Sequence, residues 1–121
     1  MSNATFELSD GLMLGEEKQT SVTLRLPTAG DIIEATEESE KLFTTPDGPA
    51  LVSSPALVAS HTLCKQVVSI GDIPGPLSLE QLKKLTPTDM ELMHTKSAEL
   101  EMASMAVTLS RGRSDGSADA D

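Results

Sequence analysis

The sequence contains no tryptophan, no tyrosine and only two phenylalanines, Phe6 and Phe43. A core must therefore be assembled from Leu, Val, Ile, Met and Ala, each burying less area than a large ring, so marginal stability or help from a partner is expected. One cysteine, Cys64, excludes an internal disulfide framework and a cysteine-based zinc site. Positive charge is scarce: 9 Lys and Arg stand against 19 Asp and Glu, a net charge of −10. That balance argues against nucleic acid, whose recognition rests on a positive surface, and against docking on an anionic membrane. No stretch approaches the roughly 20 apolar residues that cross a bilayer. The start, Met1 to Asp10, has acids where a signal peptide carries lysines. One small domain of a reducing cytoplasm is the expectation for these 121 residues.

What is present is a change of hydrophobic period along the chain. Phe6, Leu8, Leu12 and Leu14 share one parity, as do Val22, Leu24 and Leu26, and Gly15-Glu16-Glu17-Lys18 lies between them. This predicts a β-hairpin with one apolar face, Leu12 opposite Val22 and Leu8 opposite Leu26, with Asp10-Gly11 marking a bulge or break. Pro27 ends the second strand. Thr28, three residues before Asp31, predicts a helix N-cap; the helix carries Glu34, Glu37, Glu38 and Glu40 on a solvated side and Ile32, Ile33, Ala35 and Leu42 as a thin stripe. The stretch 44–54, with Pro46, Asp47-Gly48 and Pro49, predicts a mobile loop. Ser54-Pro55 opens a second helix, buried through Leu57, Val58, Leu63, Cys64, Val67 and Val68. Ser78 with Gln81, and Thr86-Pro87 with Asp89, open two more.

The expected fold is α+β. An N-terminal β-hairpin (5–26) packs on about four α-helices (29–43, 55–69, 79–85, 87–109) in one domain, 1–109, and a disordered C-terminal tail follows at 110–121.

The chemistry-bearing residues form no catalytic constellation. His61 and Cys64 share a helix face, which raises a small thiol-based enzyme or sensor as one reading. Reactive thiols need an exposed, electropositive setting, and the charge near Cys64 is mostly negative apart from Lys65. The acidic run 34–40 sits in a regular helix, unlike a calcium loop, and Gly71–Gly75 lacks a phosphate loop's Gly-Lys-Ser/Thr ending. No catalytic residue, cofactor site or metal site is assigned. Met90, Met93, Met102 and Met105 lie in the last helix, and their pliable thioethers suit either core filling or an adaptable docking surface. The residues assigned to partner binding are Met93, Leu100, Met102, Met105 and Leu109, with Leu82 and Leu85.

Order and spacing carry a resemblance. The string Gln66-Val67-Val68-Ser69-Ile70-Gly71-Asp72-Ile73-Pro74-Gly75-Pro76-Leu77-Ser78-Leu79 is followed by Leu82, Leu85, Asp89 and Leu92. Upstream stands Val22-Thr23-Leu24-Arg25-Leu26-Pro27-Thr28-Ala29-Gly30-Asp31. Together they resemble the tail assembly chaperone family of Mu-like phages and prophages, over most of residues 5–113. The resemblance implies a non-enzymatic factor of contractile-tailed phages, acting in the cytoplasm of the bacterial host. Such a factor coats the helical tape-measure protein until tail tube protein replaces it, and is absent from the mature virion. Family members also occur in a longer, frameshifted form. A minor structural tail protein retained in the particle is the alternative, and the apolar hairpin face is compatible with a homo-oligomer.

Overall fold

Capping side chains start the helices where the spacing places them. The computed structural model describes residues 3–120, and their side chains except at 41–43 and 107–120. Helix α1 (Ala29–Ser39) opens on a complete capping box: Thr28 accepts from the Asp31 N–H, and Asp31 accepts from the Thr28 N–H. Ser54 caps α2 (Pro55–Gln66), with proline at the first position. Ser78 and Gln81 form a second capping box on α3 (Leu79–Leu82), and the Asp89 N–H donates to Thr86 Oγ1 at 3.2 Å at the start of α4 (Pro87–Ala120). The side chain of Leu109 and the tail expected at 110–121 lie outside the described side chains.

The N-terminal hairpin joins β1 (Ala4–Leu14) to β2 (Glu17–Leu24) through a two-residue turn. Its register corrects the expected one. Phe6 pairs with Val22 and Leu12 with Gln19, with a break between Glu7 and Leu12. The extra residues are absorbed at Gly11, whose φ is +65°. A Cβ there would lie 1.9 Å from the Gln19 carbonyl oxygen, so only glycine lets the strands close. The bulge keeps Leu8, Leu12, Val22 and Leu24 on the buried face, and Leu14, the last residue of β1 beside the turn, is exposed.

The helices expected over 29–43 and 55–69 stop at Ser39 and Gln66 because the chain turns to strand. Strands β3 (Glu40–Thr45) and β4 (Gly48–Ser53) form a second hairpin where a loop was expected. Its turn is Pro46-Asp47, and Thr45 Oγ1 donates to the Gly48 carbonyl. Val67-Val68-Ser69-Ile70, rich in β-branched residues, becomes β5 (Val67–Ile70). It pairs with β2 on one side and with the short β6 (Ile73–Pro74) on the other. The main sheet runs β1-β2-β5-β6, all antiparallel.

One face of this sheet, with α2, α3 and α4, encloses the core. Leu8, Val22, Leu24, Val67 and Ile70 meet Leu63 and Cys64 of α2, Leu77, Leu82 and Leu85, and Met93 and Leu100 of α4. A buried carboxylate locks α4 to β1. Asp89, fully buried, accepts from the N–H groups of Ser9 (2.8 Å, Oδ1), Asp10 (3.0 Å, Oδ2) and Gly11 (2.9 Å, Oδ2). The clamp satisfies donors that the bulge takes out of the β1–β2 ladder.

Candidate functional site

The structure divides the residues assigned to partner binding. Leu82, Leu85, Met93 and Leu100 are all buried in the chain's own core. Each packs inside the fold, so none of the four offers free surface on the folded chain. Met102 and Met105 do face outward, at 69% and 62% exposure. The last helix carries two stripes on nearly opposite sides. Met93, Ser97 and Leu100 turn inward, and Met102 and Met105 turn away.

The outward stripe continues a groove. Between α1, α2 and α4 lies a depression of about 360 Å³, lined by Ile32, Ala59, Leu63, His94, Ala98 and Glu101, among others. Within the thin apolar stripe of α1, Ala35 turns inward together with Ser39, and Ile32 and Ile33 stay exposed at 46% and 61%. Glu91, His94, Ala98, Glu101 and Met105 follow one another at spacings of three, four, three and four, so they share one face of α4. No Lys or Arg is among the residues lining the groove.

The groove is framed by a polar junction at the C-terminal end of α2. Arg25 donates to Asp31 at 2.7 Å and to the carbonyl oxygens of Leu26 (2.9 Å) and Lys65 (2.8 Å). The hydrogen bond from Arg25 holds the Asp31 carboxyl down to about 2, aided by the Thr28 N–H. Gln66, fully buried, donates to the Arg25 carbonyl at 3.0 Å and accepts from Ser97 Oγ at 3.1 Å. The strand–helix junction and α4 thus share one network. Neither Gln66 nor Ser97 has a sequence signal for this role, since 31 positions separate them.

The His61–Cys64 pair offers no thiolate. Cys64 is buried, and its burial pushes the thiol up to about 11. The Cys64 Sγ lies 3.7 Å from the Ser78 carbonyl. His61 Nδ1 lies 3.5 Å from Glu38, which also pairs with Lys65 at 3.2 Å. Lys65 also reaches Glu34 at 3.3 Å. Two carboxylates of the acidic α1 face thus hold α1 to α2. Among the described residues, no group of three or more His, Cys, Asp or Glu is placed to hold a metal ion, and no helix is long and apolar enough to cross a membrane.

Known proteins resemble this chain in sequence over most of its length. A family model described as tail assembly protein gp41 matches residues 8–113. The chain is 42% identical over 109 residues to the Mu-like prophage FluMu protein gp41 of Haemophilus influenzae, covering 89% of this chain and 86% of that protein. It is 39% identical over 118 residues to the probable tail assembly protein gp41 of Escherichia phage Mu, covering 93% of this chain and 82% of that one. Against the probable tail assembly protein FS-gp41 of the same phage it is 40% identical over 114 residues, 91% of this chain but 59% of that protein. No solved structure matches the chain.

Proposed function

The chain belongs to the tail assembly protein gp41 family of Mu-like phages, and from that premise we propose that it is a non-enzymatic chaperone of tail assembly whose client is the tape-measure protein. The observation that carries this reading is the exposed apolar surface of α4, where Met102 and Met105 stand out from a helix whose other side joins the core through Met93 and Leu100. An unassembled tape-measure helix exposes apolar surface and self-associates unless it is covered. A holding protein must cover that surface and still be displaced. Shallow contacts through flexible thioethers suit this, because exchange depends on the off-rate. The net charge of −10 keeps coated complexes apart by self-repulsion.

On this reading the chain works in the cytoplasm of the bacterial host. It yields the client to tail tube protein and is left out of the mature virion. The test is co-expression with the tape-measure protein encoded by the same phage or prophage. The client is expected to stay in the supernatant and to co-purify with the parent chain. Met102→Asp with Met105→Asp is expected to weaken capture. If neither the whole client nor any fragment of it is captured, the chaperone reading fails. Mass spectrometry of purified particles provides the second check. A stoichiometric presence there would make the chain a minor structural tail protein.

A further inference from the structure

The groove between α1, α2 and α4 has walls that are helices only, so an extended segment would find no strand edge to join. A helical occupant brings its own backbone hydrogen bonds and needs only an apolar track. Such a track is present. Ala59 lines the groove from α2, Ile32 from α1 and Ala98 from α4, over a floor that includes buried Leu63 and the polar Thr62, Gln66 and Ser97. Met102 and Met105 extend the apolar surface along α4, at four and seven positions from Ala98. From Glu91 to Met105 the α4 face spans about 21 Å, close to four helical turns.

Charge selects among helical occupants. Glu101 lines the groove, and Glu91, exposed, stands one turn before His94 on the same face of α4. A second copy of the chain would bring another net charge of −10 to this acidic rim. We propose that this groove seats an amphipathic helix of the client, about four turns long, whose apolar stripe is flanked by lysines or arginines. The inference rests on the chaperone reading above and adds to it the place of contact and the chemistry of the segment held.

The test uses the full chain and overlapping fluorescein-labelled peptides covering the tape-measure protein of the same phage or prophage, with binding read by anisotropy. Three variants are compared with the parent after far-UV circular dichroism confirms their fold: Ile32→Asn with Ala98→Gln in the groove, Glu91→Lys with Glu101→Lys on its rim, and Met13→Asn, exposed on β1 outside it. A peptide with basic residues beside its apolar stripe is expected to bind the parent. The groove variant should lose about tenfold in affinity or more, the rim variant should lose severalfold at low salt, and Met13→Asn should match the parent. If a peptide binds the parent and the groove variant equally, the location is overturned while the chaperone reading stands. Equal binding to the rim variant, or a bound peptide without basic flanks, overturns the assigned chemistry. Parent self-association that the groove variant abolishes would make a second copy the occupant and overturn the proposal. If no peptide and no whole client binds, the failure lies in the chaperone reading itself.

Discussion

Replacing Asp89 by Asn should cost about 2–3 kcal/mol, and the number follows from the clamp. Its two carboxylate oxygens accept three backbone N–H groups at 2.8, 3.0 and 2.9 Å in a fully buried position. An Asn amide can keep its oxygen where Asp10 and Gly11 donate, but its NH₂ then faces the Ser9 N–H, donor against donor. One charge-assisted bond is lost, one donor is stranded and the other two bonds weaken. Asp89→Ala strands all three and should cost about 4 kcal/mol or more, a large share of the roughly 5–15 kcal/mol that holds a domain of this size. With no Trp or Tyr to report, unfolding is followed by far-UV circular dichroism in urea. The Asn variant's midpoint should fall by about 1–2 M. The pH dependence supplies an independent check. Burial opposes ionisation of Asp89, but the N–H groups of Gly11, Asp10 and Ser9 outweigh it and hold the carboxyl below its ordinary 3.8. A carboxyl depressed in the folded state stabilises above its unfolded pKa, and that stabilisation is lost as pH falls through the folded value. The gap between parent and Asn variant should therefore be full at pH 6 and close as the pH is lowered below 3.8. A gap under 0.5 kcal/mol at pH 6, or one that does not narrow in acid, would refute the reasoning.

Three further outcomes are expected. Gly75→Ala places a Cβ 1.8 Å from the Val67 carbonyl oxygen, a backbone atom that cannot step aside. It should cost more than about 2 kcal/mol, whereas Gly30→Ala, whose nearest neighbour is Thr28 Oγ1 at 3.6 Å, should stabilise α1 by about 0.5 kcal/mol; urea midpoints moving the same way would contradict this. Cys64 should react with Ellman's reagent at pH 8 at least about 100-fold more slowly in the folded protein than in urea, because burial both shields the thiol and suppresses its ionisation. A ratio near one would show that the helix opens freely. Ser97→Ala should cost about 1 kcal/mol, and Gln66→Leu about 2 kcal/mol, since the latter leaves both Ser97 Oγ and the Arg25 carbonyl without Gln66. The reverse order in urea titrations would mean that Gln66 is not the centre of that network.

Local signals were legible and remote ones were not. Each helix start was readable because a cap and its target lie three residues apart: Thr28 with Asp31, Ser54 with Leu57, Ser78 with Gln81, Thr86 with Asp89. The α+β class and the apolar face of the first hairpin followed from period two, and Gly11 announced the bulge. The register did not follow, because a bulge changes the count of residues between strands and parity alone does not reveal by how many. Strands β3 to β6 were not expected: Val67–Ile70 reads equally well as the end of a buried helix, and the Pro- and Gly-bearing stretches 44–54 and 71–76 read as a loop and a break. The candidate surface was legible only in part. Two stripes on α4 have helical spacing, and the choice of inward face is made by β1 and α2, not by α4 itself. The thin stripe of α1 is a similar case: Ile32, Ile33 and Ala35 are equally apolar in sequence, and packing turns Ala35 inward and leaves the two isoleucines outside.

The Asp89 clamp also sets an order of events during synthesis. Ser9 leaves the ribosome 80 residues ahead of the carboxylate that will hold it. Until the first turn of α4 emerges, β1 keeps its bulge donors facing water and its outer margin available to any neighbouring nascent chain. The final helix is thus the stopper that closes the sheet, and a message cut short before codon 89 would yield a chain able to pair with its own kind but unable to finish folding.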